Sequence, residues 1–161
     1  MERQCRMITI ADILHPKQIN LDLDPSNQEE LVYNVAMLLK NDEHVKDWKT
    51  FYDGLKARDS CIYEEQGIKL CIPHVRTNSV SMMVMAVGRC TIPPSASDEY
   101  AVPVVQYTFV IGVPIALASD YLRIIGALAR IFKKKTTEAR LRAATTPAEF
   151  LAVLVKKEMS L

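Results

Sequence analysis

Two long apolar runs constrain the fold more than any other feature of this sequence. The first extends from Val80 to Val87 and the second from Val104 to Val113. Strands without a polar face are usually buried on both sides, so these runs predict a sheet covered by helices on each face. The segment 91–101 between them holds two prolines, two serines and two acidic residues, and it predicts a loop.

Helix and strand signals surround these runs. Residues 19–24 alternate between apolar and polar side chains and predict a strand or an extended edge. Ser26 then predicts a helix start, with Glu29 completing a capping box, and the helical pattern ends near Asn41. Further helices are predicted over residues 45–57, from residue 119 or 120, over 138–143, and from Thr146. In the helix after Pro114, the predicted inner stripe consists of Leu122, Ile125, Leu128, Ala129 and Phe132. We therefore predict an α/β fold over a single domain, residues 1–161, in which a mixed, mainly buried β-sheet is sandwiched between helices.

The composition is globular and excludes several classes of function. The 161 residues carry 20 basic and 19 acidic side chains, and a formal net charge of +1 gives no general attraction to nucleic acid. The longest apolar stretch, 102–118, is interrupted by prolines, a glutamine and a glycine, so we expect no direct membrane insertion. Only five glycines are present, and there is no glycine-rich phosphate loop, so no cofactor is expected.

The cysteines indicate the compartment. They stand at positions 5, 61, 71 and 90, and no pair has the two-residue spacing of redox or zinc motifs. The even number is compatible with two disulfides, but a chain of this size can be held together by its core. The polar first residues lack the apolar core of a signal peptide. We therefore expect a cytoplasmic protein with reduced thiols.

His74 is the strongest candidate for chemistry among the three histidines. It follows Pro73, which fixes its own φ and lacks an N–H, so we expect the strand to end there and the next residue to turn outward. A histidine at the end of a rigid strand can present one ring nitrogen to a partner while the backbone orients the other. Imidazoles ordinarily titrate at about pH 6.5, so near pH 7 they are mostly neutral and nucleophilic toward phosphorus. Arg76 and Arg58 can steady phosphate oxygens through charged hydrogen bonds.

Other interpretations of the histidines stay open. His74 can be an ordinary turn residue with two surface arginines nearby. His15 and His44 lie in polar connections and are most simply solvated. Cys71 and His74 are three residues apart, but no second ligand pair accompanies them, so no metal site is expected.

The segment from Gly67 through Cys71-Ile72-Pro73-His74-Val75-Arg76, with the order of elements, resembles a known family. This family is the enzyme IIA domain of the phosphoenolpyruvate-dependent sugar phosphotransferase system, in the fructose/mannitol class that includes the nitrogen-regulatory PtsN-type proteins. Arg58-Asp59 stands sixteen residues before His74, at the spacing that the family uses. Pro73-His74 matches the family's phosphorylated histidine, and Arg76 matches the basic residue after it. The resemblance covers nearly the whole chain and implies a fold like that of the mannitol-class enzyme IIA.

Several positions depart from the family's pattern. Tyr121 stands where the family usually has a second histidine; its hydroxyl can donate a hydrogen bond but does not replace an imidazole charge. Residues 63–65, Tyr-Glu-Glu, stand where small hydroxyl residues are expected. Two acids near a phosphoryl group would repel it unless they point away. Lys69 replaces a glycine of the family, and Val75 replaces the glycine after the histidine.

Two hypotheses about function follow. The resemblance implies a phosphoryl carrier, in which His74 accepts phosphate from an HPr-type phosphocarrier protein and passes it to a permease component or holds it as a signal to a regulated protein. Arg58 and Arg76 would offset the charge of the transferring group, and Tyr121 would donate an auxiliary hydrogen bond. If active, the chain is a phosphotransferase component that needs no cofactor or metal. The alternative is a non-catalytic regulatory binding module of the same fold that has lost phosphotransfer.

Overall fold

The two apolar runs lie at the centre of a six-stranded sheet. This architecture is seen in a computed structural model that describes residues 7–56, 60–65, 67–93, 103–117 and 119–161. Strand β5 spans Val84–Ile92, strand β6 spans Val104–Val113, and the two pair antiparallel. Every residue of β6 after Val104 is buried, as expected for a strand covered on both faces.

Four shorter strands complete the sheet. They are β1 (Ile19–Leu23), β2 (Cys61–Glu65), β3 (Ile68–Cys71) and β4 (His74–Arg76). The strand order is β1-β5-β6-β3-β2, and β4 also pairs with β6. β1 runs parallel to β5, β3 and β4 run parallel to β6, and β2 pairs antiparallel with β3, which makes the sheet mixed as predicted. Gly67 lies between β2 and β3 with a φ of 86°, a left-handed conformation that favours glycine.

Helices cover both faces of the sheet. They are α1 (Ile10–Ile13), α2 (Gln28–Met37), α3 (Trp48–Leu55), α4 (Asp120–Lys133), α5 (Lys135–Ala143) and α6 (Pro147–Met159). α2 and α3 pack on one face, in a cluster that contains Val110 of β6. The other four helices pack on the opposite face, in a larger cluster that contains Phe109. The predicted α/β fold with a helix-covered sheet is confirmed. None of the described helices is long and apolar enough to cross a membrane.

Three helix starts differ from those predicted, and one of them is that of α5, which begins at Lys135 rather than Glu138. The cap of α2 is Asn27 rather than Ser26: the Asn27 side chain accepts a hydrogen bond from the N–H of Glu30 at 2.8 Å. The Glu30 carboxylate accepts the N–H of Ser26 at 3.1 Å, the residue before the cap, so the reciprocal hydrogen bond of a capping box is not the one formed. α3 begins at Trp48, later than predicted, because the Asp47 side chain accepts hydrogen bonds from its first turn.

The predicted inner stripe of α4 is partly wrong. Its buried residues are Ile124, Ala127, Leu128, Ile131 and Phe132. Leu122 is instead 59% exposed. Apolar residues occupy more than one side of this helix, so helical spacing fits two stripes, and packing against the sheet selects the one that contains Ile124. α6, in contrast, starts as predicted, with Thr146 accepting the N–H of Glu149 at 3.2 Å.

Two strand boundaries also differ. β2 was not predicted, because its residues are exposed or half-buried and carry no apolar pattern. β5 begins at Val84 rather than Val80. Val80 instead forms an isolated antiparallel bridge with Val45, and the chain bends between the two. Most of the predicted loop 91–101 lies outside the described residues.

Candidate functional site

His74 is the first residue of β4, which continues the line of β3 alongside β6 after a two-residue interruption. β3 and β4 follow the same neighbour, β6, and only Ile72 and Pro73 separate them. Pro73 has no N–H, but its carbonyl accepts a hydrogen bond from the N–H of Ile111 at 3.0 Å. The extended chain therefore continues past the proline, whereas the sequence predicted that the strand ends there. Among the described residues, β2 pairs with β3 and not with β4. His74 therefore lies beyond the segment of the sheet edge that is paired with β2.

The backbone fixes the orientation of the imidazole. Nδ1 of His74 lies 2.7 Å from the carbonyl oxygen of Ile72. A carbonyl oxygen only accepts hydrogen bonds, so Nδ1 carries the proton and donates it. In the neutral ring, Nε2 then holds the lone pair. The side chain is half-buried. The predicted contact between one ring nitrogen and the backbone is present, at Nδ1.

Arg76 shares a face of β4 with His74. The two residues are two positions apart, and side chains at that spacing lie on the same side of a strand. Arg76 is exposed, and its Nη2 donates a long hydrogen bond of 3.4 Å to the carbonyl of Ile115, just after β6. This contact uses one of the five N–H donors of a guanidinium. The cation therefore stands beside the imidazole with donors left for an anion.

Val75 points to the opposite face of β4 and anchors the strand. It is 9% exposed and belongs to the cluster under α2 and α3. A Cβ built on Gly54 of α3 would lie 2.7 Å from Val75 Cγ2, closer than real contacts. The valine that replaces the family's glycine is thus accommodated by a glycine on the facing helix. This substitution changes the packing behind His74 and not the face on which the imidazole stands.

Tyr121, in the first turn of α4, is the aromatic neighbour of His74. The two ring centroids lie 5.6 Å apart, and the ring planes are inclined by 36°. Tyr121 is partly buried against the larger core cluster, which holds its ring in place. The structure therefore brings the tyrosine that replaces the family's second histidine against the imidazole.

Arg58 lies outside the described residues. Ser60, two residues later, is described, and its carbonyl accepts a hydrogen bond from the N–H of Ile72 at 2.8 Å. The carbonyl of that same Ile72 receives the His74 proton. Ser60 is therefore hydrogen-bonded to the same residue, Ile72, whose carbonyl orients the imidazole.

The two acids of the segment 63–65 do not lie near His74. Glu64 pairs with Lys69 and Glu65 pairs with Ile68, at the far end of the hairpin. Through β6, those positions are five and six residues from Ile111, the partner of His74, or about 17–20 Å along the strand. A hydrogen bond to the Glu65 carboxylate raises the pKa of Tyr63 to about 12. The repulsion considered from the sequence does not arise at this distance.

The remaining histidines and the cysteine next to the site have other surroundings. His15 and His44 line a separate cavity of about 270 Å³. His44 lies 3.5 Å from the Glu43 carboxylate. Cys71 lines a cavity on the α2/α3 side of the sheet, whereas His74 stands beside Tyr121 on the other side, so the two do not converge on a metal.

A second polar cluster on the α4–α6 side of the sheet is buried. The Glu138 carboxylate, 4% exposed, accepts a hydrogen bond from the Tyr107 hydroxyl at 2.8 Å and one from Arg142 Nε at 2.9 Å. Arg142 also donates to the carbonyl of Gly67 at 3.1 Å. Burial, reinforced by the hydrogen bond to Glu138, raises the pKa of Tyr107. The sequence did not single out this cluster, because its members are far apart along the chain and form no motif.

Two contacts of the candidate site were likewise not identified from the sequence: the Ile72 carbonyl as the acceptor for Nδ1, and the Ile115 carbonyl as the anchor of Arg76. Both are main-chain atoms, and main-chain acceptors leave no side-chain signal. The proline at position 73 is the one available hint, because a break in a strand leaves the preceding carbonyl to find another donor.

Comparison with known proteins gives the family. Residues 12–157 match the family described as "Phosphoenolpyruvate-dependent sugar phosphotransferase system, EIIA 2". The chain is 24% identical over 149 residues to a nitrogen regulatory protein of Pseudomonas aeruginosa, covering 92% of this chain and 96% of that protein. Its fold is similar to that of the nitrogen regulatory protein IIA-Ntr from Neisseria meningitidis, with a TM-score of 0.72, 24% identity, and coverage of 90% and 98%.

The mannitol class has the same fold. In the complex of enzyme IIAMtl and phosphorylated enzyme IIBMtl from Escherichia coli, the matched chain gives a TM-score of 0.60, 16% identity, and coverage of 89% and 97%. The resemblance to the fructose/mannitol class and its nitrogen-regulatory branch is therefore confirmed. Because the family match spans most of its length, this chain belongs to the EIIA 2 family of the phosphoenolpyruvate-dependent sugar phosphotransferase system.

Proposed function

We propose that this chain is a phosphoryl carrier that accepts a phosphoryl group on Nε2 of His74. The observation that carries the proposal is the 2.7 Å contact between Nδ1 and the Ile72 carbonyl, which leaves the lone pair of the neutral ring on Nε2. The whole chain, residues 1–161, acts as one enzyme IIA unit in the cytoplasm.

In the transfer step, Nε2 attacks the phosphorus of a phosphohistidine on an HPr-type donor protein. The new N–P bond forms as the donor's N–P bond breaks, and the donor imidazole leaves with the electron pair of that bond. Docking of the two proteins supplies the alignment of the two rings, so the step needs no metal or cofactor.

Three side chains assist this step in the proposal. Arg76, on the same face of β4, offsets the negative charge of the phosphoryl oxygens. Arg58 is proposed to offset the same charge, and the hydrogen bond between Ser60, two residues later, and Ile72 supports this. Tyr121 holds the imidazole by ring contact and donates a hydrogen bond to a phosphoryl oxygen.

The group then passes to a permease component, or the phosphorylated state signals to a regulated protein. A regulatory role is supported by the similarity to a nitrogen regulatory protein. An acceptor of the IIB kind is supported by the similarity to the mannitol enzyme that was solved in complex with phosphorylated IIB. We favour the regulatory role.

The test is phosphorylation by the reconstituted donor chain. The protein is incubated with phosphoenolpyruvate, enzyme I and an HPr-type donor, and acid-labile phosphate on it is measured. We expect label on the wild type, none on His74→Gln, and wild-type label on the matched control His44→Gln. Arg76→Ala is expected to slow labelling by about 100-fold, because it removes one charged donor to the transferring group.

Absence of label with several HPr-type donors would contradict the proposal. It would favour the non-catalytic binding module of the same fold, whose partner would bind His74→Gln as well as it binds the wild type. Label that persists in His74→Gln would assign transfer to another residue.

A further inference from the structure

Two cysteines on neighbouring strands face each other. Cys61 of β2 and Cys71 of β3 are register partners in the antiparallel hairpin, next to a shift of register between Cys61 and Tyr63. Side chains of directly opposite residues lie on the same face of a sheet, and both cysteines line one cavity of about 480 Å³ on the α2/α3 side. Cys61 is exposed and Cys71 is 5% exposed. Cys61 is therefore accessible to solvent, whereas Cys71 is covered.

The flanking hydrogen bond indicates how close the two residues are. The N–H of Ile72 donates to the carbonyl of Ser60 at 2.8 Å, and these residues are the outer neighbours of Cys71 and Cys61. In a regular ladder, a bond between outer neighbours marks a non-hydrogen-bonded pair, in which the Cα atoms are about 4.5 Å apart and the side chains are closest. The Ile72–Ser60 bond lies on the side of the pair away from the register shift, where the ladder is regular. Disulfides span Cα separations of about 4.4–6.8 Å. A disulfide can therefore join these strands without separating them.

Each sulfur also has polar neighbours. Sγ of Cys61 lies 3.9 Å from Oε2 of Glu64, an acceptor for its proton. Sγ of Cys71 lies 3.5 Å from Nε2 of Gln106, which is fully buried and is also bonded to Thr108 and Gln28. The buried sulfur is thus held by a network at the wall of the cavity, on the side toward β6.

We propose that Cys61 and Cys71 are a redox pair, a cross-strand dithiol that a peroxide oxidises to a disulfide. The Cys61 thiolate attacks one peroxide oxygen, the O–O bond breaks, and hydroxide leaves and takes up the thiol proton as water. This gives a sulfenic acid on Cys61. The Cys71 sulfur then attacks the Cys61 sulfur; the S–S bond forms as the S–O bond breaks, and a second water leaves with the Cys71 proton. Two thiols and one peroxide give one disulfide and two waters.

The pair is thus a modification site within the hairpin that leads into the strand of His74. Cys71 is three residues before His74 and follows Lys69 by two. The inference does not depend on phosphoryl transfer, because strand register, exposure and the flanking hydrogen bond are its grounds.

The experiment uses the full chain and hydrogen peroxide. Remaining thiols are blocked by alkylation, and the protein is digested with trypsin without reduction. Cleavage after Lys69 separates Cys61 from Cys71, so a disulfide holds peptides 59–69 and 70–76 together. We expect this linked pair, lighter than the two thiol peptides by two hydrogen atoms, and its disappearance on treatment with dithiothreitol. The matched control is the double variant Cys5→Ser, Cys90→Ser, which should keep the link.

Two further variants make the outcome decisive. Cys61→Ser changes an exposed residue, so it should fold normally and lose the link. In Cys71→Ser, with folding checked by circular dichroism, a sulfenic acid on Cys61 should be trapped by dimedone. The proposal is overturned if peroxide oxidises Cys61 without linking it to Cys71, if Cys61 joins two chains, or if Cys71 pairs with Cys90.

Discussion

His74 and the Glu138 cluster lie on the same side of the sheet but at different points along β6. The register places His74 beside Ile111, whereas Tyr107, the partner of Glu138, lies four residues earlier, about 13 Å away along the strand. The Glu138 carboxylate is buried and bonded by a hydroxyl and a guanidinium. His74 is half-buried, and within the described residues its hydrogen bond is the one at Nδ1.

The difference in burial between Glu138 and His74 corresponds to two roles of a polar side chain, one in stability and one in reactivity. A buried group whose hydrogen bonds are all made contributes to stability, because removing one partner leaves the others desolvated and unpaired. A half-exposed group with one nitrogen bonded and one available contributes little to stability but can react. We therefore expect stability and phosphoryl transfer to separate cleanly between the two regions.

The largest expected effect is the loss of stability in Glu138→Ala. The variant leaves the buried Tyr107 hydroxyl and the partly exposed Arg142 guanidinium without their shared acceptor. We expect the free energy of unfolding to fall by about 2–3 kcal/mol. Urea unfolding followed by circular dichroism measures it.

His74→Gln is the matched comparison, and it should lose less than about 1 kcal/mol, as is usual for a partly exposed residue. Phosphoryl transfer should show the opposite pattern. Folded Glu138→Ala should accept phosphate at nearly the wild-type rate. Equal destabilisation by the two substitutions would contradict the separation, as would loss of transfer in a folded Glu138→Ala protein.

The next effect is a dependence of stability on alkaline pH. Since burial raises the pKa of Tyr107, the unfolded chain loses this proton near pH 10 while the folded chain keeps it. The free energy of unfolding should therefore fall as pH rises above about 10, by about 1.4 kcal/mol per pH unit for this group.

Tyr107→Phe is the test of this slope. The variant should be less stable than the wild type at pH 8, and the gap should narrow as pH rises above about 10, because phenylalanine has no proton to lose. Urea unfolding at a series of pH values measures the gap. A gap that stays constant up to pH 11 would mean that Tyr107 titrates alike in both states.

The smallest expected effect is on transfer in Tyr121→Phe. The ring contact with His74 is retained and only the hydroxyl is lost, so we expect the rate of phosphate acceptance to fall by less than about tenfold, the value of one hydrogen bond. Single-turnover labelling measures the rate, and Tyr33→Phe, on the other side of the sheet beside Trp48, is the control. An unchanged rate in Tyr121→Phe would remove the hydroxyl from the proposed step and leave only the ring.

The central strand β6, which pairs with the strand of His74, was predictable from the sequence, whereas β4 itself was not. The run 104–113 has the bounds of β6 because apolar residues predominate along it and none is charged, which is typical of a covered strand. The edge strand β2 was not predictable, since exposed side chains leave no pattern. The stripe of α4 was ambiguous because helical spacing fits more than one of its sides.

Some parts of the candidate site were likewise predictable from the sequence and others were not. A proline before a histidine at the end of an apolar run pointed to His74, and Arg76 was chosen as a basic residue two positions after it; the strand that the two share was not predicted. That Glu64 and Glu65 lie far from His74 depends on the register of the hairpin, which the sequence does not encode locally. The match between Val75 and Gly54 depends on tertiary packing between a strand and a helix.

The central claim is that the backbone holds the proton on Nδ1 of His74 and leaves Nε2 to accept phosphorus. Long-range proton–nitrogen NMR correlation on protein with ¹⁵N-labelled histidine reports both the tautomer and the site of phosphorylation. We expect Nδ1 to carry the proton of the neutral tautomer and, after incubation with the donor chain, phosphorus to be bonded to Nε2. A ring protonated on Nε2, or phosphorus bonded to Nδ1, would contradict it.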